Sequence, residues 1–404
     1  IRSRESSHPE RLLLLAGTVL GLSTVFREEG YLLLCAIAVG VVYAFPVRRR
    51  GVFLLIGWLL VMIPIWVIQH HLYDHFLGLH AVIYSSALSG PGDALSLFNP
   101  ANIVSNLFVY LLKFHFSPQL SLLLAMPFIA ALAVGLFCQP SRIATTARVT
   151  LVICTCVTST ILLMLLLSHE DLVFDTLFTQ ALLPSTPFLV FFVLYFRSNI
   201  VSEDANLRFF TATTLIFLIG SGFLLNQKDV GIIWGPRHFI SLYPVLVPLA
   251  LIAIHQLLKD VGKRFTERLV RIAAAILVGI SLITQLHGVH ALVLKKTGTQ
   301  AIVDSIKELD TNVLVTDVYW LPEEIASVYH EKKILMVDSD EELQSLLKLF
   351  RTKNIKTFGF VTSKYYRRVS DMALQKMAPL VKETRSVASP GMEFMSLRVL
   401  FCKL

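Results

Sequence analysis

From Leu12 to Leu286 the chain alternates apolar runs of roughly 15 to 20 residues with short polar bursts. A helix rises about 1.5 Å per residue, so about 20 largely apolar residues cross a hydrocarbon core near 30 Å. Nine runs fit this pattern: Leu12–Phe26, Tyr31–Phe45, Val52–Ile68, Leu120–Cys138, Val149–Leu167, Leu182–Phe196, Phe210–Leu225, Phe239–Leu258 and Ile272–Leu286. Asn102–Phe114 is apolar but shorter and reads as interfacial or re-entrant. After Lys295 the pattern becomes that of a folded water-soluble domain. Asn312–Thr316, Ile334–Val337, Thr357–Val361 and Leu397–Cys402 read as strands, and Glu323–His330 and Glu341–Arg351 as helices. Strands alternating with helices predict a small parallel or mixed sheet. The expected architecture is therefore a polytopic α-helical membrane protein, with residues 1–290 in the membrane domain and 291–404 in a C-terminal extracytoplasmic α/β domain. No internal repeat or low-complexity tract is present, and the tail carries no Gly-rich phosphate-binding fingerprint.

Composition reinforces the pattern. Only 16% of the 404 residues are charged and the mean hydropathy is +0.67, whereas a soluble domain carries about 25% charged residues. A soluble globular enzyme is excluded. The net charge of +8 does not mark a nucleic-acid binder, because the basic residues sit at the ends of apolar runs. One alternate set of connectors holds Arg2, Arg4 and Arg11; Arg48 to Arg50; Arg142 and Arg148; Arg197 and Arg208; and Lys259, Lys263, Arg264, Arg268 and Arg271. The other set is poor in Lys and Arg, so the basic set is expected in the cytoplasm. Nine spans starting inside leave the C-terminal domain outside, consistent with a bacterial inner membrane. The five cysteines lack disulfide or zinc spacing and read as small core residues. Ile1 is no initiator Met, and the residues after it form neither a signal nor a transit peptide. They read as a loop between spans, which leads us to expect earlier spans upstream.

Four clusters carry candidate chemistry. Arg27-Glu28-Glu29-Gly30 joins two runs of about 15 residues, each roughly 22 Å of helix. Their far ends are held by arginines, so the turn is expected below the outer interface, where ionisable groups face a polar cavity or one another. Gly30 suits a tight turn. The plain alternative is a charged turn with the bilayer thinned around it. Gly235-Pro236-Arg237-His238 precedes a run interrupted by Pro244 and Pro248. Arg237 can pair bidentately with phosphate and His238 adds a donor; otherwise the arginine snorkels to the interface. Ser168-His169-Glu170-Asp171, with Asp175 following, suits proton transfer or a metal, or is a solvated loop. His70 with Asp74, and His71 with His75, have the i, i+4 spacing of metal ligands, although interfacial histidines are common. The long segment containing them, Gln69 to Pro118, also holds His80 and has a length typical of loops that cover a site.

The stretch Ala16–Gly30, ending Thr24-Val25-Phe26-Arg27-Glu28-Glu29-Gly30, resembles the corresponding segment of GT-C membrane glycosyltransferases, which include protein mannosyltransferases and lipid A aminoarabinose transferases. Gly235-Pro236-Arg237-His238 with Tyr243-Pro244 is similar to the start of a late span in that superfamily. Thr316-Asp317-Val318-Tyr319-Trp320 in the tail resembles the outward domain that many members carry. The motifs are short, although the layout covers most of the chain. The resemblance implies a glycosyltransferase of the cell envelope. It would take a sugar from a polyprenyl-phosphate carrier and pass it to a lipid, glycan or protein acceptor on the outer membrane face. Arg27, Arg237 and His238 would hold the donor phosphate, and Glu28, Glu29, His70, His71, Asp74, His169, Glu170 and Asp171 would line the cavity. No cofactor is implied beyond compatibility with a divalent metal. The family's catalytic carboxylate lies upstream of the matched segment, so no residue here inherits that role and the chain alone is expected to be inactive. Competing readings are a secondary transporter, a lipid-linked polysaccharide polymerase or ligase, and a non-catalytic scaffold.

Overall fold

A computed structural model describes residues 9–26, 29–44, 51–73, 100–112, 118–138, 142–168, 181–224, 237–318, 321–363, 368–389 and 392–404. They fall into two compact units. The first takes its described residues from the chain up to Gln285 and the second from Leu286 onward, with a few residues exchanged near Leu166 and Phe178.

The first unit is all-helical. It contains α1 (Pro9–Phe26), α2 (Glu29–Ala44), α3 (Gly51–Tyr73), α4 (Pro100–Leu112), α5 (Pro118–Phe137) and α6 (Arg142–Ser168). After the short pieces α7 (Leu182–Ser185), α8 (Val190–Leu194) and α9 (Phe196–Ile200) come α10 (Ala205–Leu224), α11 (Tyr243–Val261) and α12 (Arg264–Lys307), of which residues 264–285 belong to this unit and the rest to the second. Among the described residues, six helical stretches are long and apolar enough to cross a membrane: Gly51–Leu72, Gln119–Phe137, Ala144–Ser168, Ala205–Phe223, Phe239–Val261 and Arg264–Lys307. Their outward faces are apolar, with Leu60, Leu123, Met164 and Leu282 exposed. Such a surface is stable only in lipid, so this is an integral membrane protein. With little hydrophobic drive between helices in lipid, packing relies on close backbone approach at small residues. A Cβ added to Gly17 would lie 2.0 Å from the Leu54 carbonyl oxygen, and one on Gly57 2.1 Å from that of Leu14. Paired glycines thus seat α1 directly on α3.

Several expectations change. Leu182–Phe196 is not one continuous helix: Pro184 and Pro187 cannot donate backbone hydrogen bonds, and the segment breaks into α7, a 3₁₀ turn (Pro187–Leu189), α8 and α9. The last apolar run does not end near Leu286 but continues in α12 to Lys307. Its later part becomes amphipathic, burying Ala291, Ile302, Val303 and Ile306 at helical spacing in the second unit. Of the cysteines, Cys156 and Cys402 are buried, but Cys35 and Cys154 are exposed and Cys138 is half-buried, so the expected core placement holds only for two.

The second unit has a five-stranded mixed sheet in the order β2-β1-β3-β5-β4. The strands are β1 (Val313–Thr316), β2 (Lys333–Met336), β3 (Thr357–Ser363), β4 (Val381–Ser389) and β5 (Met392–Lys403). β1 pairs in parallel with both β2 and β3, and β5 pairs antiparallel with β3 and β4. Alternation sends Leu314, Val361 and Val399 to one face, against α12 and α13 (Leu321–Glu324). Val315, Phe358, Phe360 and Cys402 go to the other, against α14 (Asp340–Thr352) and α15 (Asp371–Met377). Where one helix was expected over Glu323–His330, there are only α13 and a 3₁₀ turn, Ala326–Val328.

Candidate functional site

Small and aromatic residues join the end of α1 and the start of α2 to α3. A Cβ on Gly30 would lie 2.4 Å from Thr24 Oγ1, so only glycine lets α2 start this close to the end of α1. Buried Thr24 donates to the Leu20 carbonyl at 2.8 Å and accepts from Trp58 Nε1 at 3.1 Å. One step further along α3, Trp66 Nε1 donates to Tyr31 Oη at 2.9 Å. Trp58, Met62 and Trp66 are four apart and share one helix face. Trp58 meets the rings of Tyr31 and Trp66 edge-on, at 5.7 and 5.5 Å. Helix α3 continues seven residues past Trp66 to Tyr73, about 10 Å of helix. The start of α2 therefore sits well short of the end of α3.

A second set of contacts gathers other elements at a similar level. On α10, a Cβ on Gly220 would lie 2.2 Å from Leu32 Cδ1 of α2. Phe217, three residues earlier on the same side, packs edge-on against Phe239 at 6.4 Å. Phe239 and Leu242 are fully buried and anchor the 3₁₀ turn Arg237–Leu242 that leads into α11. From α4, Asn106 Nδ2 donates to the Gly222 carbonyl at 2.9 Å. Phe217 lies seven residues before the end of α10 at Leu224, again about 10 Å. One stretch of α10 thus carries both the beginning of α2 and the turn that opens with Arg237.

Beside this hub lies a cavity of about 160 Å³ with an almost wholly apolar lining from α4, α5, α10, α11 and the broken segment after Ala181. Leu107, Leu132, Leu183, Phe192, Leu218 and Leu246 are among its walls. Irregular backbone at membrane depth is tolerated where it is buried in protein or lines a cavity; part of the segment's polar groups find partners, whereas among the described residues both amide atoms of the buried Asn199 side chain have none. Thr186 Oγ1 and Tyr243 Oη share a hydrogen bond of 2.5 Å, and Gln285 Nε2 donates to the Ser185 carbonyl at 3.3 Å.

Of the residues singled out from sequence, Arg27, Glu28, Asp74, His169, Glu170 and Asp171 lie outside the described residues. Glu29 is the first residue of α2, and Arg237 and His238 open the 3₁₀ turn on the hub. His70 and His71 are exposed in the last turn of α3. Among the described residues no group of three or more His, Cys, Asp or Glu side chains could hold a metal ion.

Two polar centres escaped the sequence reading. Arg148, only 1% exposed, lies 4.3 Å over the Tyr195 ring and 3.8 Å from Asp260 Oδ2, which accepts from Tyr195 Oη at 2.6 Å. These residues come from opposite ends of three apolar runs, so no local spacing announces them. In the second unit, fully buried Asp317 follows β1 at the carboxyl edge of the parallel strands. Its Oδ2 accepts from Thr362 Oγ1 at 3.1 Å and from the Val369 amide at 3.3 Å, while Oδ1 has no hydrogen-bond partner among the described residues. Burial pushes its pKa above the ordinary carboxyl range, and the hydrogen bonds from Thr362 and the 368–369 backbone offset this only in part. Asp338 pairs with Arg368, and Asp340 accepts from the amide and hydroxyl of Ser370. Three aspartates from the ends of β1 and β2 thus clamp residues 368–370.

Compared with protein-family models, with curated proteins and with solved structures, the chain matches none.

Proposed function

We propose that this chain serves glycosyl transfer from a polyprenyl-phosphate-linked sugar to an acceptor on the outer face of the membrane, in a topology of nine membrane crossings. The observation that carries the reading is the α10 hub. It brings the start of α2, two residues after Arg27, and the turn that opens with Arg237 onto one stretch of helix. That stretch, Phe217 to Gly220, lies about 6 to 10 Å short of the end of α10, with an apolar cavity lined in part by the same helix. A lipid-linked anionic donor needs cations at headgroup depth and a dry recess for its hydrocarbon, and chain neighbours of Arg27 and Arg237 meeting on one helix support that reading. In the reaction the acceptor hydroxyl attacks the anomeric carbon, the bond from that carbon to the phosphate oxygen breaks, and the phosphate leaves with the electron pair. Arg27 and Arg237, assisted by His238, stabilise the charge that gathers on the leaving phosphate. The acceptor proton passes to a carboxylate, a role that falls to no assigned residue of this chain.

The segment broken after Ala181 is the feature that favours a transporter, since discontinuous helices bind solutes in such proteins. Against it, the cavity that the segment lines is almost entirely apolar and has no set of groups to hold a polar solute. Uptake into sealed vesicles separates the two readings. Transfer from a polyprenyl-phosphate sugar, measured with the full-length protein, should fall on the order of 100-fold for Arg27→Ala and for Arg237→Ala. Unchanged rates in both variants overturn the assignment.

A further inference from the structure

We propose that the C-terminal unit is seated in the bilayer. The outward face of α12 from Leu286 to Val293 lies against lipid acyl chains, and the headgroup boundary falls at Lys295 and Lys296. The inference stands on the surface of α12 and does not depend on the glycosyl-transfer reading.

The second unit takes its first turns from α12, Leu286 to Lys307, and one face of those turns is uncovered throughout. It begins with Leu286, Val289 and Val293, which are 69%, 57% and 56% exposed. It goes on with Lys296, Gln300, Asp304 and Lys307, exposed as well. Steps of three or four residues keep all of them on one side of the helix. Exposure is thus constant along the face, while its chemistry changes once, within a single turn between Val293 and Lys296. In water the apolar half would be a patch that soluble surfaces seldom keep; in hydrocarbon the charged half would be costly. Two solvents along one face satisfy both. The apolar half also continues a surface that already meets lipid, since Ile272, Ile276 and Leu282 are exposed on the same helix. Its occupant is therefore the bilayer.

Length agrees. From Ile272 to Leu294 the helix carries no Asp, Glu, Lys or Arg, a stretch of roughly 35 Å against a hydrocarbon core near 30 Å. A crossing that ended at Leu286 would have only about 22 Å. The other side of the same turns belongs to the folded core: Ala291 is buried and Leu294 partly so, in the cluster that holds Leu321 and Ile325. At the boundary Lys295 Nζ pairs with Glu324 Oε1 at 2.5 Å, and Thr299 Oγ1 donates to Glu324 Oε2 at 3.4 Å. Helix α13 is thus tied to α12 at the level where the apolar face gives way to the charged one, which is headgroup depth. Lys296, exposed beside the Lys295–Glu324 pair, extends its charge to lipid phosphate.

The test is hydroxyl-radical footprinting of the full-length protein in phospholipid nanodiscs, read residue by residue. Leu292 on α12 and Leu349 on α14 are of one residue type, 47% and 49% exposed in the same unit, so they differ only in the solvent proposed for them. Leu286, Val289, Leu292 and Val293 should lose their labelling while Leu349 is oxidised. Nanodiscs made with a phospholipid that carries a diazirine on its acyl chain should then crosslink to Leu292 or Val293 and to nothing from Gln300 onward. Oxidation of Leu292 and Val293 as fast as Leu349 puts the face in water and overturns the proposal. Protection without crosslinking means that another protein surface covers the face, which overturns it equally. Crosslinks beyond Gln300 refute the boundary at Lys295 and Lys296. None of these outcomes bears on Arg27 or Arg237, so the seating of the domain and the glycosyl-transfer reading stand or fall separately.

Discussion

Asp317 holds its carboxyl fully buried in the C-terminal domain, with one oxygen unpartnered among the described residues, and the energetic consequence has a definite sign. Its folded-state pKa is raised above the ordinary value by burial. The stability it contributes is therefore complete below the ordinary carboxyl pKa and is lost as pH climbs through the raised one. Asp340 has the opposite sign: bonds from Ser370 lower its pKa, so its contribution is lost only as pH falls below the ordinary carboxyl range. From about pH 4 towards neutrality the raised pKa of Asp317 works against the fold. The domain's thermal midpoint, followed in the full chain by limited proteolysis, should drop over that interval. Asp317→Asn, which cannot ionise but keeps an oxygen for Thr362 and Val369, should flatten the dependence; a slope equal to the wild type's would refute the account. At this scale the sequence was only partly readable. Trp58 and Trp66 lie eight apart in an apolar run, which announces a shared helix face but not the hydroxyls across from it. Arg148 and Asp260 flank different runs, so only the packed bundle shows them meeting over Tyr195.

Elements built from long apolar runs were legible because the bilayer imposes one solution on them, a helix with every backbone group paired internally. Pro64 and Pro127 lie inside α3 and α5 without breaking them. Pro184 and Pro187, three apart, do break their run, and that pair was the readable signal for the interruption. β4 was not foreseen because its Lys382-Glu383-Thr384-Arg385 segment is a polar edge with little alternation to read. What holds the elements together can be tested at the α1–α3 seam. Adding a methyl at Gly17 or Gly57 drives it into backbone carbonyl oxygens rather than a movable side chain. Overpacking of this kind costs about 1–3 kcal/mol. Gly17→Ala and Gly57→Ala should lower the unfolding midpoint in detergent and shift Trp58 emission as its bond to Thr24 is lost. Gly279 in α12 has no neighbour within 4 Å of a built Cβ, so Gly279→Ala should be neutral or stabilising by up to about 1 kcal/mol. Equal destabilisation at all three sites would mean that close backbone contact is not what holds α1 on α3.

For the molecule as a whole, the decisive quantity is the side of the membrane on which the C-terminal domain lies, because an outer-face reaction requires it outside. The argument is one of parity. The connectors rich in Lys and Arg alternate with poor ones along the chain, and the last rich connector, Lys259 to Arg271, immediately precedes the final crossing in α12. If that connector is cytoplasmic, everything after the crossing is on the other side. Helix α12 has 44 residues, whereas about 20 suffice to span the hydrocarbon, so its later turns are free to enter the core of the second unit. The break after Ala181 is the place where the parity could fail. The parity holds only with the pieces α7 to α9 crossing the bilayer as one span; if they turned back instead, every later connector would change sides. Trypsin added to intact spheroplasts should therefore cut at the exposed Lys348 and Lys353 of α14 and its C-terminal end, while Lys263 and Arg264 should be cut only after the membrane is opened. The reverse order of cleavage would place the domain in the cytoplasm and remove the basis for transfer on the outer face, whatever the arginines bind.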